Sequence, residues 1–179
     1  MDWTRLKLIA APTAPVVTLD EARDHLRISH DLDDTYIEHL IATATAVIEG
    51  PTGAGISLAP ARWQLTMDHL PRHFDIDLCP VMSVDKITLN GENVPPLSYR
   101  CDLDSVPARV HVAFPSVRHD LGSVKVEFTA GNETVPSDLR HALLMLISHF
   151  YEQREAFAAS DLKEVPFAVG AIISRYRAF

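Results

Sequence analysis

The stretch Val17-Thr18-Leu19-Asp20-Glu21-Ala22-Arg23-Asp24-His25-Leu26-Arg27 contains the clearest helix start in the chain. Thr18 and Glu21 form a capping box: the Thr18 hydroxyl can accept a hydrogen bond from the Glu21 amide, and the Glu21 carboxylate can accept one from the Thr18 amide. The pattern predicts a helix that runs to about Ile28. Its apolar residues near one face are Leu19, Ala22 and Leu26.

A second helix is predicted after the polar run 29–34, with Asp31 or Asp33 as its N-cap. Its apolar stripe repeats every 3.6 residues over three turns, until Gly50-Pro51 ends it. The residues of this stripe are Ile37, Leu40, Ile41, Ala44, Val47 and Ile48. The two helices and the short acidic turn between them predict a helical hairpin over about 18–50.

From Ala61 to Ala130, apolar and polar residues alternate along the chain, and this two-residue period predicts strands. Trp63, Leu65 and Met67 alternate with polar residues, and Val124, Val126 and Phe128 do the same. Further short strands are predicted around 75–78, 84–89, 99–101 and 109–113. Asn90-Gly91 is a strong signal for a tight hairpin turn, because both residues tolerate positive φ. We therefore expect a compact antiparallel β block over about 61–130.

A long helix is predicted over about 136–157, opened by Pro136 near its first turn. Its apolar stripe is Leu139, Ala142, Leu143, Leu146, Ile147, Phe150 and Tyr151. The order of these elements predicts an α+β fold: an N-terminal helical hairpin, a central antiparallel β block, a long C-terminal helix and a short terminal helical tail. Residues 1–157 are expected to form a single domain, and residues 158–179 a linker and a tail.

The tail, residues 165–179, is an apolar segment with a basic end. Val169, Ile172, Ile173 and Tyr176 stand at i, i+3, i+4 and i+7, which is one stripe of a helix. Arg175 and Arg177 lie on its final turn, where the helix dipole favours positive charge. Such a stripe needs a surface that buries it, and this surface is either the core of the same chain or another protein.

The composition excludes several classes of protein. The chain of 179 residues is 47% apolar and 22% charged, as in an ordinary globular domain. The net charge is -8, and residues 1–60 carry 4 basic against 9 acidic side chains, which argues against tight nucleic-acid binding. No stretch approaches the length of a membrane span, and no signal peptide is predicted. We expect a protein of the cytoplasm or of a particle assembled there.

The sequence contains no recognisable catalytic, metal or cofactor motif. Cys79 and Cys101 lack ligand spacing and are expected to be buried free thiols. His149 and Glu152 stand at i, i+3, as in di-iron bundles, but the second such pair is missing. The acidic residues 31–34 lack the glycine and distal glutamate of a calcium loop. We expect no catalytic residue, no metal and no cofactor.

The ordered set of these segments resembles the head-tail connector, or adaptor, proteins of tailed bacteriophages and gene transfer agents. The likeness spans nearly the whole chain. The segments that carry it are Val17–Arg27, Asp33–Ile37, Phe128-Thr129-Ala130-Gly131, Val135-Pro136, His149-Phe150-Tyr151-Glu152-Gln153-Arg154-Glu155, Pro166-Phe167 and Tyr176-Arg177.

This resemblance implies a structural protein of a virion or virion-like particle that is assembled in the bacterial cytoplasm. The resemblance implies that identical copies form a dodecameric ring under the portal protein, with a stopper or tail terminator on the tail side. DNA is expected to pass through the ring without specific binding. A channel of this kind is better lined by acidic or neutral groups, because every phosphate held by lysine or arginine has to be released again.

The resemblance also implies a role for the tail, since the C-terminal segment of these proteins commonly contacts the portal. We expect the tail to dock there, with Arg175 and Arg177 paired to carboxylates of the partner. The residues expected at this interface are Phe167, Val169, Ile172, Ile173, Arg175, Tyr176, Arg177 and Phe179.

Two other classes of protein fit the same sequence. One is a tail-completion or stopper component of the virion. The other is a small intracellular α+β domain that binds a ligand or acts as an enzyme, with a concave pocket lined by convergent polar groups.

Overall fold

The computed structural model describes residues 5–50, 54–116, 120–153 and 167–177. The helices in these ranges are α1 (Leu19–Leu26), α2 (Asp34–Ile48), α3 (Ser137–Glu152) and α4 (Phe167–Ile173). The strands are β1 (Leu6–Ala10), β2 (Ala61–Met67), β3 (His73–Ile76), β4 (Val81–Leu89), β5 (Glu92–Asn93), β6 (Tyr99–Asp102), β7 (Ala108–Val112) and β8 (Val124–Ala130). The predicted α+β class is confirmed, because helices and antiparallel strands form separate parts of the chain.

The helices pack together around α3, which contacts α1, α2 and α4. Their apolar stripes meet in one core, as the 3.6-residue period predicted. The largest fully buried side chains of this core are Ile37, Ile48, Ile56, Leu58, Leu139, Leu143 and Leu146. The helical layer therefore has a hydrophobic core of its own.

The capping box that starts α1 is present. The Thr18 hydroxyl accepts from the Glu21 amide at 3.3 Å, and the Glu21 carboxylate accepts from the Thr18 amide at 3.0 Å. This backbone hydrogen bond, followed by the nearby Arg140 guanidinium, lowers the pKa of Glu21. The ion pair between Arg140 and Glu21 also joins α1 to α3. The helix ends at Leu26, two residues before the predicted end, because Arg27 takes a left-handed conformation with φ 59°.

The start of α2 differs in one respect from the prediction. Asp33 is the N-cap residue, but its side chain makes no capping hydrogen bond. Its carboxylate instead accepts a 2.6 Å hydrogen bond from the Tyr151 hydroxyl on α3. The predicted cap is therefore a link between two helices, and the acidic turn belongs to the packing of the helical layer.

Two antiparallel sheets form the β block. The larger has the strand order β1-β2-β8-β4-β5 and the smaller the order β3-β7-β6. The inward-facing residues of both sheets, among them Phe128, Ile87 and Val110, share a second hydrophobic core. The predicted turn at Asn90-Gly91 is confirmed, with φ values of 53° and 85°.

Strand β1 was not predicted. It is the edge strand of the larger sheet, and its register pairs Leu6 with Leu65 and Leu8 with Trp63. Only Leu6 is buried, whereas the four residues that follow it are exposed. An edge strand with one buried side chain has no period-two pattern to reveal it.

The helical layer and the β block meet through loops. The Ser57 amide donates to the Cys79 carbonyl at 2.9 Å, and the Asn132 amide donates to the Leu58 carbonyl at 3.0 Å. Trp63 of β2 donates its indole N–H to the Ser57 hydroxyl at 3.3 Å. This junction lies where β8 ends and β4 begins, so the opposite ends of these strands point away from the helices.

Candidate partner interface

The tail helix α4 packs against α3 of the same chain. Val169 is fully buried and Ile173 is 7% exposed, and both belong to the hydrophobic core of the helical layer. Ile172 and Tyr176 pack against the same core and remain partly exposed. The stripe predicted from the sequence is thus present, and its inner half is covered by the chain itself.

Asp138, on the first turn of α3, holds the end of the tail. Its carboxylate accepts a hydrogen bond from the Tyr176 hydroxyl at 2.6 Å and pairs with the Arg175 guanidinium at 2.7 Å. The hydrogen bond from Tyr176 and the charge of Arg175 lower the pKa of Asp138. The same hydrogen bond raises the pKa of Tyr176, because the neutral phenol is the donor. The lowered pKa of Asp138 and the raised pKa of Tyr176 have the same cause, a hydrogen bond from the neutral phenol to the charged carboxylate.

The backbone of the tail is also anchored to the junction with the β block. The buried thiol of Cys79 donates to the Tyr176 carbonyl at a distance of 3.2 Å from sulfur to oxygen. Cys79 immediately precedes the turn into β4, so this contact places the end of the tail beside the interlayer loops. Neither Asp138 nor Cys79 could be predicted as a tail contact from the sequence, because both residues are far from the tail along the chain.

The outer side of the tail carries positive charge. The Arg175 side chain is 63% exposed despite its ion pair. Arg177 is exposed, and within the described part of the chain it has no carboxylate partner. Together with the exposed parts of Ile172 and Tyr176, these arginines form a mixed apolar and basic surface, which we call the outer tail surface.

The structure therefore divides the residues predicted at the interface into two groups. Ile172, Arg175, Tyr176 and Arg177 contribute to the outer tail surface. Val169 and Ile173 face α3 of the same chain, which differs from the expectation that they contact an external partner. The side chain of Phe167, the residue Phe179, the predicted linker 158–164 and the first two tail residues, 165–166, lie outside the described residues.

A shallow apolar groove lies in the helical layer, between the residues that lead into α1 and the helix α2. Its walls are the extended segment 12–19 and the outer face of α2, and its volume is about 710 Å³. The floor on α2 consists largely of the small residues Ala42, Thr45 and Ala46, and Glu38 and Glu49 are the charged residues of its lining. The groove presents few polar groups that converge on one point, so its chemistry suits a protein segment better than a small polar molecule.

Burial raises the pKa of Glu49 in this groove, although the Leu58 amide donates a 2.8 Å hydrogen bond to the carboxylate and opposes the shift. Within the described ranges, no three His, Cys, Asp or Glu side chains converge as metal ligands would. His149 and Glu152, the pair considered in the sequence, stand on α3 without a second pair among these residues. None of the helices seen in the described residues has both the length and the apolar character needed to cross a bilayer.

Comparison with known proteins identifies the family. Residues 15–179 match the family model of the head completion protein. The structure of the neck of an empty gene transfer agent particle, which was computed with C6 symmetry, contains a protein that is similar to this chain. The two superpose with a TM-score of 0.78 at 25% sequence identity, and the match covers 96% of this chain and 94% of that chain.

Two further structures share the fold, with the same coverage of 96% and 94%. A protein of the neck of a native gene transfer agent particle, computed with C12 symmetry, has a TM-score of 0.69 at 23% identity. A protein of the virion of a native gene transfer agent particle has a TM-score of 0.67 at 23% identity. Comparison with curated protein sequences gives no match. The chain belongs to the head completion protein family, and it is a structural head-tail adaptor of a virion or virion-like particle, as the resemblance implied.

Proposed function

We propose that twelve copies of this chain form a ring beneath the portal, that the outer tail surface contacts the portal, and that a stopper or tail terminator binds the opposite side. The number of copies is supported by the C12 symmetry of a neck that contains a protein of the same fold. DNA passes through the ring, and the chain catalyses no reaction.

The observation that carries the proposal is the outer tail surface. Arg177 is exposed without a partner among the described residues, and Arg175 is still more than half exposed. Tyr176 and Ile172 place apolar surface beside these charges. An aromatic and arginine-rich patch of this kind is typical of the energetically important part of protein interfaces. Its complement on the portal is an apolar surface with exposed carboxylates.

The buried half of the tail has a supporting role in this proposal. Val169 and Ile173 fix α4 on α3, and Asp138 fixes the side chains of Arg175 and Tyr176. A helix of seven residues is too short to be stable alone in water. The contacts with α3 therefore hold the outer tail surface in one conformation before the portal binds, which reduces the entropy lost on binding.

A closed ring also needs two different lateral surfaces on each copy, because a cyclic assembly is built from head-to-tail contacts. The apolar groove between segment 12–19 and α2 supplies one such surface. Small side chains on α2 allow an element of the neighbouring copy to approach closely. The acidic excess of residues 1–60 favours a channel lining that does not retain DNA phosphates.

The proposal of a non-enzymatic role is supported by the family and by the chemistry of the described surfaces. The larger groove is mostly apolar, and the smaller depression on the sheet β3-β7-β6 includes the ion pair between Arg109 and Asp102.

The test compares Arg177→Glu with a matched control, Arg100→Glu, which changes an exposed arginine of the β block. Binding of each purified full-length variant to the cognate portal is measured by titration. We expect Arg177→Glu to weaken binding at least about tenfold, equivalent to about 1.4 kcal/mol. We expect the control to bind as the unchanged chain does. Equal affinity of the two variants would contradict the proposed portal contact.

A further inference from the structure

The outer face of the sheet β3-β7-β6 carries two histidines side by side. His73 of β3 is opposite His111 of β7 in the antiparallel register, and both side chains are exposed. Their ring centroids are 4.6 Å apart, and the ring planes are inclined by 56°. Imidazole is a preferred ligand of divalent transition metals such as Zn²⁺, Ni²⁺ and Cu²⁺. Two imidazoles at this separation are therefore a candidate chelate.

The strand pairing holds the two rings together. The Val112 amide donates to the Arg72 carbonyl at 2.8 Å. Because hydrogen-bonded and non-hydrogen-bonded pairs alternate along an antiparallel ladder, the next pair, His73 and His111, is a non-hydrogen-bonded pair. Side chains are closest in such pairs, with Cβ atoms about 4.5–5.5 Å apart. The inward-facing Val110 belongs to the hydrophobic core of the β block, which fixes the register.

The separation of the rings matches that of two imidazoles on one metal ion. Metal–nitrogen distances of about 2.0–2.1 Å place each ring centroid about 3.2 Å from the ion. Two centroids are then about 4.5 Å apart for a nitrogen–metal–nitrogen angle of about 90°, and about 5.2 Å apart for a tetrahedral angle. The observed 4.6 Å between His73 and His111 lies in this range. Since the ring torsion of histidine has broad minima, each exposed ring can turn a nitrogen towards the ion.

The charges around the histidine pair come from neighbouring positions on the same face of the sheet. Asp75 of β3 is exposed and stands opposite Arg109 of β7. Arg109 forms its 2.7 Å ion pair with Asp102 of β6. Arg100 of β6 is exposed and stands directly opposite His111. The positive charge of Arg100 opposes the binding of a cation, so its removal should strengthen binding.

We propose that His73 and His111 together bind one divalent transition metal ion, with Zn²⁺ as the probe. Across the described ranges, no third His, Cys, Asp or Glu converges with them, so the remaining coordination positions are left to solvent. The ion links β3 to β7 and stabilises the fold that holds the two rings together. No metal was expected from the sequence, because the two histidines are far apart along the chain and belong to no ligand motif.

The test is a calorimetric titration of zinc chloride into the purified full-length chain, freed of bound metal and of any affinity tag. His73→Gln and His111→Gln each remove one imidazole of the pair. His39→Gln is the matched control, because His39 is an exposed histidine on α2, outside the β block. Substitutions at such exposed positions leave stability nearly unchanged, and thermal unfolding of the metal-free variants verifies this.

We expect the unchanged chain to have one strongest Zn²⁺ site, which either substitution in the pair weakens at least about tenfold, or about 1.4 kcal/mol. The double variant His73→Gln, His111→Gln should lose much less than the sum of the two single losses, because the first substitution already destroys the chelate. His39→Gln should bind as the unchanged chain does. Equal affinity of His73→Gln and His39→Gln would overturn the inference, and so would additive losses or the absence of saturable binding by the unchanged chain.

Arg100→Gln gives a second readout, which a purely structural role of the histidines would not change. Removal of the positive charge opposite His111 should strengthen Zn²⁺ binding about two- to fivefold at low salt. The gain should shrink as the ionic strength rises, because salt screens exposed charges. Arg177→Gln makes the same charge change on the tail and is the control. An equal response of the two arginine variants would place the ion elsewhere on the chain and overturn the inference.

Discussion

The hydroxyl of Tyr176 donates a 2.6 Å hydrogen bond to Oδ1 of Asp138, a residue 38 positions earlier in the chain. Oδ2 of the same carboxylate pairs with Arg175 at 2.7 Å. One side chain at the start of α3 therefore holds two of the residues that form the outer tail surface. This contact sets the conformation of the outer tail surface, which we propose contacts the portal.

Replacement of Asp138 by asparagine is expected to loosen the tail without unfolding the domain. The amide cannot form the ion pair with Arg175, whereas Val169 and Ile173 stay in the core. Hydrogen exchange should accelerate in residues 167–176 and stay unchanged in α3. Asp24→Asn, on the exposed side of α1, is the control. Unchanged protection of the tail in Asp138→Asn would show that the apolar contacts alone hold it.

Acid should loosen the tail in the same way. The pKa of Asp138 lies below its ordinary value of 3.8, chiefly because of the Tyr176 hydrogen bond. The stabilisation by the ionised carboxylate is therefore present above pH 3.8 and lost as the pH falls through the lowered pKa. Hydrogen exchange at a series of acidic pH values should show this loss in the unchanged chain and not in Asp138→Asn.

Glu49 should give the opposite pH dependence. Burial raises its pKa above the ordinary 4.5, so the folded chain holds this proton more tightly than the unfolded chain. The associated stability is complete below pH 4.5 and is lost as the pH rises through the raised pKa. Glu49→Gln keeps an oxygen for the Leu58 amide and removes the buried charge, and it should raise the unfolding midpoint at pH 7. Glu38→Gln, on the exposed side of the same groove, should leave the midpoint unchanged.

Gly131 is required where β8 returns to the helical layer. Its φ is 133°, and an added Cβ would lie 2.2 Å from the Ala59 carbonyl oxygen. Gly131→Ala should lower the free energy of unfolding by at least about 3 kcal/mol. Gly91→Ala is the control, because Gly91 also has positive φ but open space around its Cα. Its cost should be only about 1 kcal/mol. Denaturant titration measures the free energy of unfolding of both variants. Equal losses of stability would contradict the requirement for glycine at position 131.

Ser57 connects the two layers through its buried hydroxyl. It accepts from the Trp63 indole at 3.3 Å and donates to the Ala130 carbonyl at 3.1 Å. Ser57→Ala leaves the buried indole N–H without its partner, which should cost about 1–3 kcal/mol. Thr43→Ala, at an exposed hydroxyl of α2, should cost less than about 0.5 kcal/mol in the same denaturant titration.

The sequence predicted those elements whose local pattern and tertiary contacts agree. The capping box at Thr18 and Glu21 and the hairpin turn at Asn90-Gly91 depend on neighbouring residues only, and both are present. Strand β1 was missed because its pairing with β2 comes from residues more than fifty positions away. The Asp33 cap was wrong in detail because Tyr151, on another helix, competes for the carboxylate.

The tail shows which part of the candidate site could not be predicted from the sequence. The spacing of Val169, Ile172 and Ile173 correctly indicated a helix with one buried face, but α4 ends at Ile173, and Tyr176 lies in the turn that follows. An apolar stripe specifies that it is buried, but it does not specify which surface buries it. The cover supplied by α3, and the contact with Asp138, depend on the tertiary fold.

The most direct test of the account is the mass of the complex formed by the purified full-length chain and its cognate portal. Native mass spectrometry is carried out on the chain alone, on the portal alone and on the mixture. The account predicts a discrete complex in which one portal ring gains twelve copies of the chain. A portal mass that stays unchanged with excess chain, or a complex with a variable number of copies, would contradict it.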